Sequence, residues 1–345
     1  MAVIERVFVS EPMDLSGKTY EGLEAKGIEV RLGRPIYDRP QEAMSEEDLI
    51  EACRDVQAVM GASRDRFTRG LFEACPDLVM VSKYGIGTER IDVEDATELG
   101  VIVSNTPVPE NYHSVAEHTI TMALTLQRRL KELEPHVRAG KWRGPDTILT
   151  SMEGQTVGLV GLGRIGQGVA TRLSHWGVRL VAYDPYLDAA VAAELGVELV
   201  DLDRLLREAD LIALTTVVTE ETRGMIDAAA LAKVKKSAIL VNTSRGALVD
   251  EAALIATLEE GRLAAAGLDV TEPEPPALDN PLRSMPNVII SPHTAGWTAQ
   301  TIAAIARCAA DNILAVAAGS APLFAKNPDV LERRNRAGIG AAPAP

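Results

Sequence analysis

The stretch that decides the fold is "VGLVGLGRIGQG", Val157 to Gly168. An apolar strand pattern runs into Gly161-x-Gly163-x-x-Gly166, and a helical pattern, "RIGQGVATRLSHWG", follows at once. Glycines at this spacing are common on their own. Between a strand and a helix each serves a separate need. The first allows a tight turn and the second lets backbone approach a diphosphate. The third permits close packing of helix on strand, and the helix start supplies N–H donors and a positive dipole end. Eighteen residues after Gly166 the next strand pattern ends in "VAYDPY" at Asp184. A carboxylate there can accept both hydroxyls of an adenine ribose and repels a 2′-phosphate. With no arginine in "DPYLDAA" to hold such a phosphate, NAD is expected over NADP.

Outward from this loop the same grammar repeats. "TVGLVGLG", "RLVAYDP", "LIALTTV", "SAILVNTS", "AAAGLDV" and "NVIISPH" read as strands, most of them separated by helical stretches. Upstream, "RVFVSE", "IEVRLG", "VQAVMGA", "DLVMVSKYG" and "VIVSNT" form a second alternating series. Strand and helix in alternation give parallel sheets covered by helices, so the fold class is α/β with two doubly wound domains. "SEEDLIEACRD" opens with a capping box at Ser45 and Asp48. "SVAEHTITMALTLQRRLKELEPHVRAG" reads as one long helix, apolar on most faces of its first part, which suits a subunit interface or an interdomain contact. A last helix is expected from about Thr298 to Ala318, and a disordered Gly/Ala/Pro-rich tail over 332–345.

Composition sets limits on partners. The 345 residues are 46% hydrophobic and carry a net charge of −14, which repels polyanions and disfavours nucleic acid and anionic membranes. Cys53, Cys75 and Cys308 have no metal-ligand spacing and read as buried apolar side chains in a reducing compartment, with no metal expected. The N-terminus leads straight into a strand pattern without a signal-peptide profile, and no run reaches membrane-spanning length, so the expected location is cytoplasmic.

In an open parallel sheet, ligands lie at the carboxyl ends of the strands. Those ends carry Asp184, then "NTSRG" with Arg245, then "GLDVTEPEPP" with Asp269 and Glu274, then "SPHTAG" with His293. Delivering hydride to a carbonyl carbon leaves charge on oxygen, and an imidazolium is a suitable proton donor near neutral pH. Glu274 on the other ring nitrogen would favour the protonated form, while Arg245 would grip a carboxylate and polarise the carbonyl beside it. In "KYGIG", Gly85, Ile86 and Gly87 can turn N–H groups toward the same anion.

The motifs "YGIGTERID", "SVAEHT", "GLVGLGRIG", "NTSRGALVDEAAL", "GLDVTEPEP" and "SPHTAG" together resemble the D-isomer-specific 2-hydroxyacid dehydrogenases. That family includes D-3-phosphoglycerate, glyoxylate/hydroxypyruvate and D-lactate dehydrogenases. The resemblance implies a Rossmann NAD-binding domain over 105–297. It also implies a discontinuous flavodoxin-like substrate domain over 1–104 and 298–331, with a cleft between the two. It implies a catalytic set of Arg245, Glu274 and His293, and a homodimer formed through the NAD domains. Around the cofactor it implies Gly161, Gly163, Arg164, Ile165 and Gly166 at the diphosphate and Asp184 at the ribose. Thr243, Ser244, Arg245 and Asp269 would lie toward the nicotinamide, closed off by His293 and Gly296. Tyr84, Gly85, Ile86, Gly87, Arg245 and His293 would meet a 2-keto or 2-hydroxy acid. His113 and His118 have no catalytic role in the family, and His136 and His175 read as solvated.

The chain departs from the pattern at Val217-Val218-Thr219, where many relatives have Pro-Leu-Thr, and at Arg90, where Asn is frequent. Trp297 fits a pocket wall and ordinary packing equally well. The substrate is expected to be 3-phosphoglycerate/phosphohydroxypyruvate or glyoxylate/hydroxypyruvate, although the chain ends without the regulatory domain that many phosphoglycerate dehydrogenases carry. A formate dehydrogenase would pair its histidine with glutamine, which Glu274 opposes. The alternative outside enzymology is an NAD(H)-sensing corepressor-like binding protein.

Overall fold

The computed structural model describes residues 4–37 and 43–331, so the tail expected over 332–345 lies outside the described residues. The chain divides into two compact units, residues 1–111 with 299–345, and residues 112–298. The division after Asn111 falls inside a helix, seven residues beyond the boundary the sequence suggests at 104.

The first unit holds a parallel sheet of β1 (Arg6–Val9), β2 (Glu29–Leu32), β3 (Ala58–Gly61), β4 (Met80–Lys83) and β5 (Ile102–Ser104), in the order β2-β1-β3-β4-β5. This is the flavodoxin-like order. Strands β3, β4 and β5 are short and nearly all buried, because helices cover both faces. One face packs on Lys18–Glu24 and the C-terminal helix Ala299–Ala317, whose Ala309 carbonyl accepts from Ser82 Oγ at 3.0 Å. The other packs on Glu46–Cys53, Arg69–Ala74 and Val93–Glu98, around Leu49, Phe67 and Leu71. Cys53 and Cys75 lie in that second core, and all three cysteines are buried and free. At Ser45 the hydroxyl accepts from Asp48 N and donates to the Asp48 carboxylate. The open edge of β5 is covered by the segment after the last helix. Lys326 N donates to Val103 O, and Asn327 Oδ1 accepts from Val103 N, so the edge N–H and C=O groups are paired.

The second unit holds seven parallel strands: β6 (Thr156–Val160), β7 (Arg179–Tyr183), β8 (Val197–Leu199), β9 (Leu211–Leu214), β10 (Ile239–Asn242), β11 (Ala265–Leu268) and β12 (Val288–Ile290). The order is β12-β11-β10-β9-β6-β7-β8. Counted from β6, this is the Rossmann order extended by one strand, and its direction reverses between β6 and β9. The structure differs from the sequence pattern in two places. The edge strand β8 has no counterpart in the apolar runs, since three residues with only one buried carry no pattern. The single long helix is two, Pro109–Gln127 and Leu130–Arg138. Between them Arg129 takes the left-handed conformation (φ 49°), held by its guanidinium on Glu132 and on the Asp146 carbonyl. No glycine or proline marks that break, so the apolar period runs through it.

Candidate active site

The reversal point of the seven-stranded sheet is where the glycine loop lies. Gly161 has φ +96°, and a Cβ there would stand 2.9 Å from Thr216 backbone. At Gly166 a Cβ would meet the Gly161 carbonyl at 2.4 Å, so only glycine lets the helix Arg164–Leu173 start this close to β6. Gly163 differs from both: a Cβ there would meet nothing within 4 Å. The space over Gly163 is open, and the first turn of the helix has no side-chain cap over its N–H groups. Thr215 Oγ1 donates to Gly161 O at 2.6 Å and Gln167 Nε2 to Leu162 O at 3.0 Å, fixing the loop from both sides. Asp184 accepts from Leu162 N at 2.9 Å and from Tyr186 N at 3.1 Å, which orients the carboxylate while each oxygen keeps a lone pair. An open anion-binding turn followed by a part-exposed acid fits a dinucleotide. Gly161, Gly163, Arg164, Ile165 and Gly166 would hold its diphosphate and Asp184 its ribose.

The guanidinium of Arg164 lies 5.0 Å from the Tyr112 ring centre and donates to Tyr112 Oη at 3.2 Å. No sequence signal marks this pairing, because a lone tyrosine six residues before a helical histidine has many other uses.

Farther along the sheet, the turn after β10 holds Thr243, Ser244 and Arg245. Their hydroxyls face inward. Thr119 Oγ1 gives its proton to Val115 O, so Thr243 Oγ1 donates to Thr119 at 2.7 Å, and Ser244 Oγ donates to Leu214 O at 2.9 Å. Asn242 Nδ2 holds the Arg245 carbonyl at 2.8 Å, and Arg245 Nη1 donates to Ser244 O at the same distance. Gly246 is obligatory, since a Cβ would stand 2.1 Å from Thr271 backbone, and this close approach sets the Arg245 turn against the Glu274 turn.

After β11 come two acids. Glu274 accepts from Thr271 N at 3.3 Å through Oε1, and its Oε2 lies 2.9 Å from His293 Nδ1. A carboxylate only accepts, so Nδ1 carries a hydrogen and Nε2 is the nitrogen left for a substrate. The Asp269 carboxylate takes Thr294 N at 2.8 Å, Ala295 N at 2.9 Å and the Ser291 hydroxyl, and its side chain is 1% exposed. These bonds tie it to the SPHTAG turn. The Asp269 carbonyl also accepts from His293 N at 2.9 Å, and His293 itself is held at φ +52°. Trp297 N closes a turn on Thr294 O at 2.9 Å, with Gly296 inside it.

The other expected substrate element belongs to the first unit, after β4. The Tyr84 ring is buried in the first core, its N–H donates to Gly61 O and its carbonyl accepts from Lys83 Nζ. The Gly85 N–H donates to Thr106 Oγ1 at 2.7 Å. The N–H groups of Ile86 and Gly87 take no acceptor among the described residues, and Ile86 is exposed.

A seven-stranded Rossmann sheet with this loop, this acid and a His–Glu pair at its strand ends defines an NAD-binding α/β dehydrogenase unit. Residues 120–295 match the D-isomer specific 2-hydroxyacid dehydrogenase NAD binding domain. The chain is 39% identical over 294 residues to a glyoxylate reductase of Korarchaeum cryptofilum, covering 84% of this chain and 88% of that one. It is 40% identical over 276 residues to a D-3-phosphoglycerate dehydrogenase of Mycobacterium leprae, covering 80% of this chain but only 52% of the relative. The TT0316 protein from Thermus thermophilus superposes with a TM-score of 0.85 at 32% identity, over 93% of this chain and 99% of that one. The chain therefore belongs to the D-isomer specific 2-hydroxyacid dehydrogenase family. Among the described residues, no helix is long and apolar enough to cross a membrane.

Proposed function

We propose that the protein interconverts a 2-keto acid and a D-2-hydroxy acid with NAD(H), and that glyoxylate or phosphohydroxypyruvate is among its keto acids. The reading rests on the 2.9 Å approach of His293 Nδ1 to Glu274 in a chain of this family. When bound, the cofactor supplies or accepts the hydride at its nicotinamide. Arg245 grips the substrate carboxylate and polarises the adjacent carbonyl, giving an oriented acceptor carbon. His293 Nε2 gives its proton to the carbonyl oxygen as charge develops there, and in the reverse direction removes it. Glu274 supports the imidazolium and keeps the ring oriented, which leaves Nε2 as the exchanging atom. The N–H groups of Ile86 and Gly87 are proposed as substrate contacts, with Tyr84 and the Gly85 N–H withdrawn from that role.

The names of the relatives support both keto acids. The domain roles follow the same reading: residues 112–298 bind NAD and the first unit binds substrate. A homodimer through the NAD unit is proposed too. Leu130, Val137, Trp142 and Ile148 stand exposed along one segment of it and offer apolar surface to a second copy. Sedimentation of the purified protein at a dimer's mass checks this. A cytoplasmic location accords with three buried, unpaired cysteines.

NADH oxidation against 2-keto acids graded in size and charge tests the activity. Turnover of at least one is expected. Silence across the panel with NADH demonstrably bound would overturn the enzyme reading and favour an NAD(H)-sensing binding protein.

A further inference from the structure

Beneath the His293 turn lies a chain of hydrogen bonds that the proposed reaction does not use. His118, on the helix Pro109–Gln127, has Nε2 2.9 Å from Ser291 Oγ, and Ser291 Oγ in turn reaches Asp269 Oδ1. His118 Nε2 is itself 3.7 Å from the same carboxylate oxygen. Proton counting fixes the direction. A serine hydroxyl has one hydrogen, and the Asp269 carboxylate can only accept, so that hydrogen goes to Asp269. Ser291 Oγ must then accept from His118, and His118 must carry its hydrogen on Nε2.

Asp269 is the centre of the turn. Through its two carboxylate oxygens and its carbonyl it holds Ser291, His293, Thr294 and Ala295, four residues out of five in the loop. His293 sits among them in a left-handed conformation that L-residues adopt only when held. We propose that His118, acting through Ser291 and Asp269, is a positioning residue for the proton donor His293. Without the Nε2 hydrogen, the Ser291 hydroxyl loses the bond that keeps it turned toward Asp269, one acceptor site of a buried carboxylate empties, and the turn carrying His293 loosens. The effect falls on the placement of the imidazole, and the diphosphate loop at Gly161–Gly166 is left as it is. This inference rests on the reading of His293 as the proton donor.

The test uses the full-length chain with His118→Leu, His118→Gln, Ser291→Ala and, in parallel, His293→Ala. The glutamine amide reaches the place of Nε2 and restores a donor there. With glyoxylate and with phosphohydroxypyruvate, His118→Leu and Ser291→Ala should lower kcat by about tenfold to hundredfold, the size expected when a reacting group is misplaced by part of an ångström. NADH affinity, read by fluorescence without any turnover, should stay within about twofold, since uniform binding is untouched. His118→Gln should recover most of the lost kcat. Long-range proton–nitrogen correlation spectra of the wild-type protein should show His118 with its hydrogen on Nε2. Full turnover in the leucine and alanine variants, a glutamine variant no better than leucine, or a hydrogen on Nδ1 alone would each overturn the relay. If His293→Ala alone lost activity, the relay would fall and the catalytic reading would stand; if His293→Ala kept turnover, the catalytic reading itself would fall.

Discussion

Asp269 and Glu274 are five residues apart on one loop, and both are acids at the mouth of the same sheet. Asp269 is 1% exposed in its side chain and surrounded by donors: two backbone N–H groups, a serine hydroxyl and, a little farther off, an imidazole. Glu274 is 38% exposed and faces one imidazole that is itself half exposed. The first carboxylate accepts three hydrogen bonds that shape a turn. The second lies 2.9 Å from an imidazole whose far nitrogen is the one proposed to exchange a proton. A buried acid that accepts three hydrogen bonds from one turn shapes that turn, whereas the acid with an imidazole partner at the surface is the one proposed for chemistry. Two acids on one loop thus have opposite roles, separated by what surrounds them.

Substitutions can break this contrast or sharpen it. The largest effect is expected at the residue both acids serve. His293→Ala should lower kcat by roughly 10²–10⁴-fold with little change in NADH affinity, measured by steady-state assay and fluorescence titration. Next comes Asp269→Ala, which orphans the N–H groups of Thr294 and Ala295. At about 1–3 kcal/mol for each unsatisfied buried donor, it should lower the unfolding midpoint as well as kcat. A variant as stable as the parent would mean that Asp269 is not the centre of the turn.

Arg245→Ala should reduce kcat/KM for the keto acid by about 10–100-fold, the worth of one charge-assisted carboxylate grip, and leave NADH binding alone. Glu274→Gln should have a smaller effect, about tenfold or less in kcat. Full turnover in that variant by steady-state assay would sink the pairing assigned to Glu274. The smallest change is expected at Asp184→Ala, where the preference for NADH over NADPH should narrow by about tenfold through loss of like-charge repulsion.

Some of this is legible in the chain and some is not. The glycine loop can be read because its requirements are local: a positive φ at Gly161 and a helix start against the Gly161 carbonyl exclude side chains within six residues. Of the twelve strands among the described residues, nine can be read as short, mostly buried apolar runs, and the edge strands β2 and β12 from apolar residues in "IEVRLG" and "NVIISPH". The edge strand β8, three residues with one buried, offers no such run. The break at Arg129 escapes because its cause, a guanidinium bonding to Glu132 and to a carbonyl seventeen residues on, is not written in the helical period. Tyr84 reads as a substrate residue from its neighbours in a motif, yet its ring is needed in the core.

The sequence by itself determined the two parallel sheets, the dinucleotide loop and the identity of the acids, base and guanidinium at the strand ends, since each follows from residue type and spacing along a few turns of chain. Only the tertiary structure decided which of those groups faces outward. Asp269 turned inward, Glu274 met His293, and His118 was brought under the loop from a helix more than 170 residues earlier. Side-chain direction depends on the donors and apolar neighbours that distant segments deliver, and a linear pattern carries no record of them.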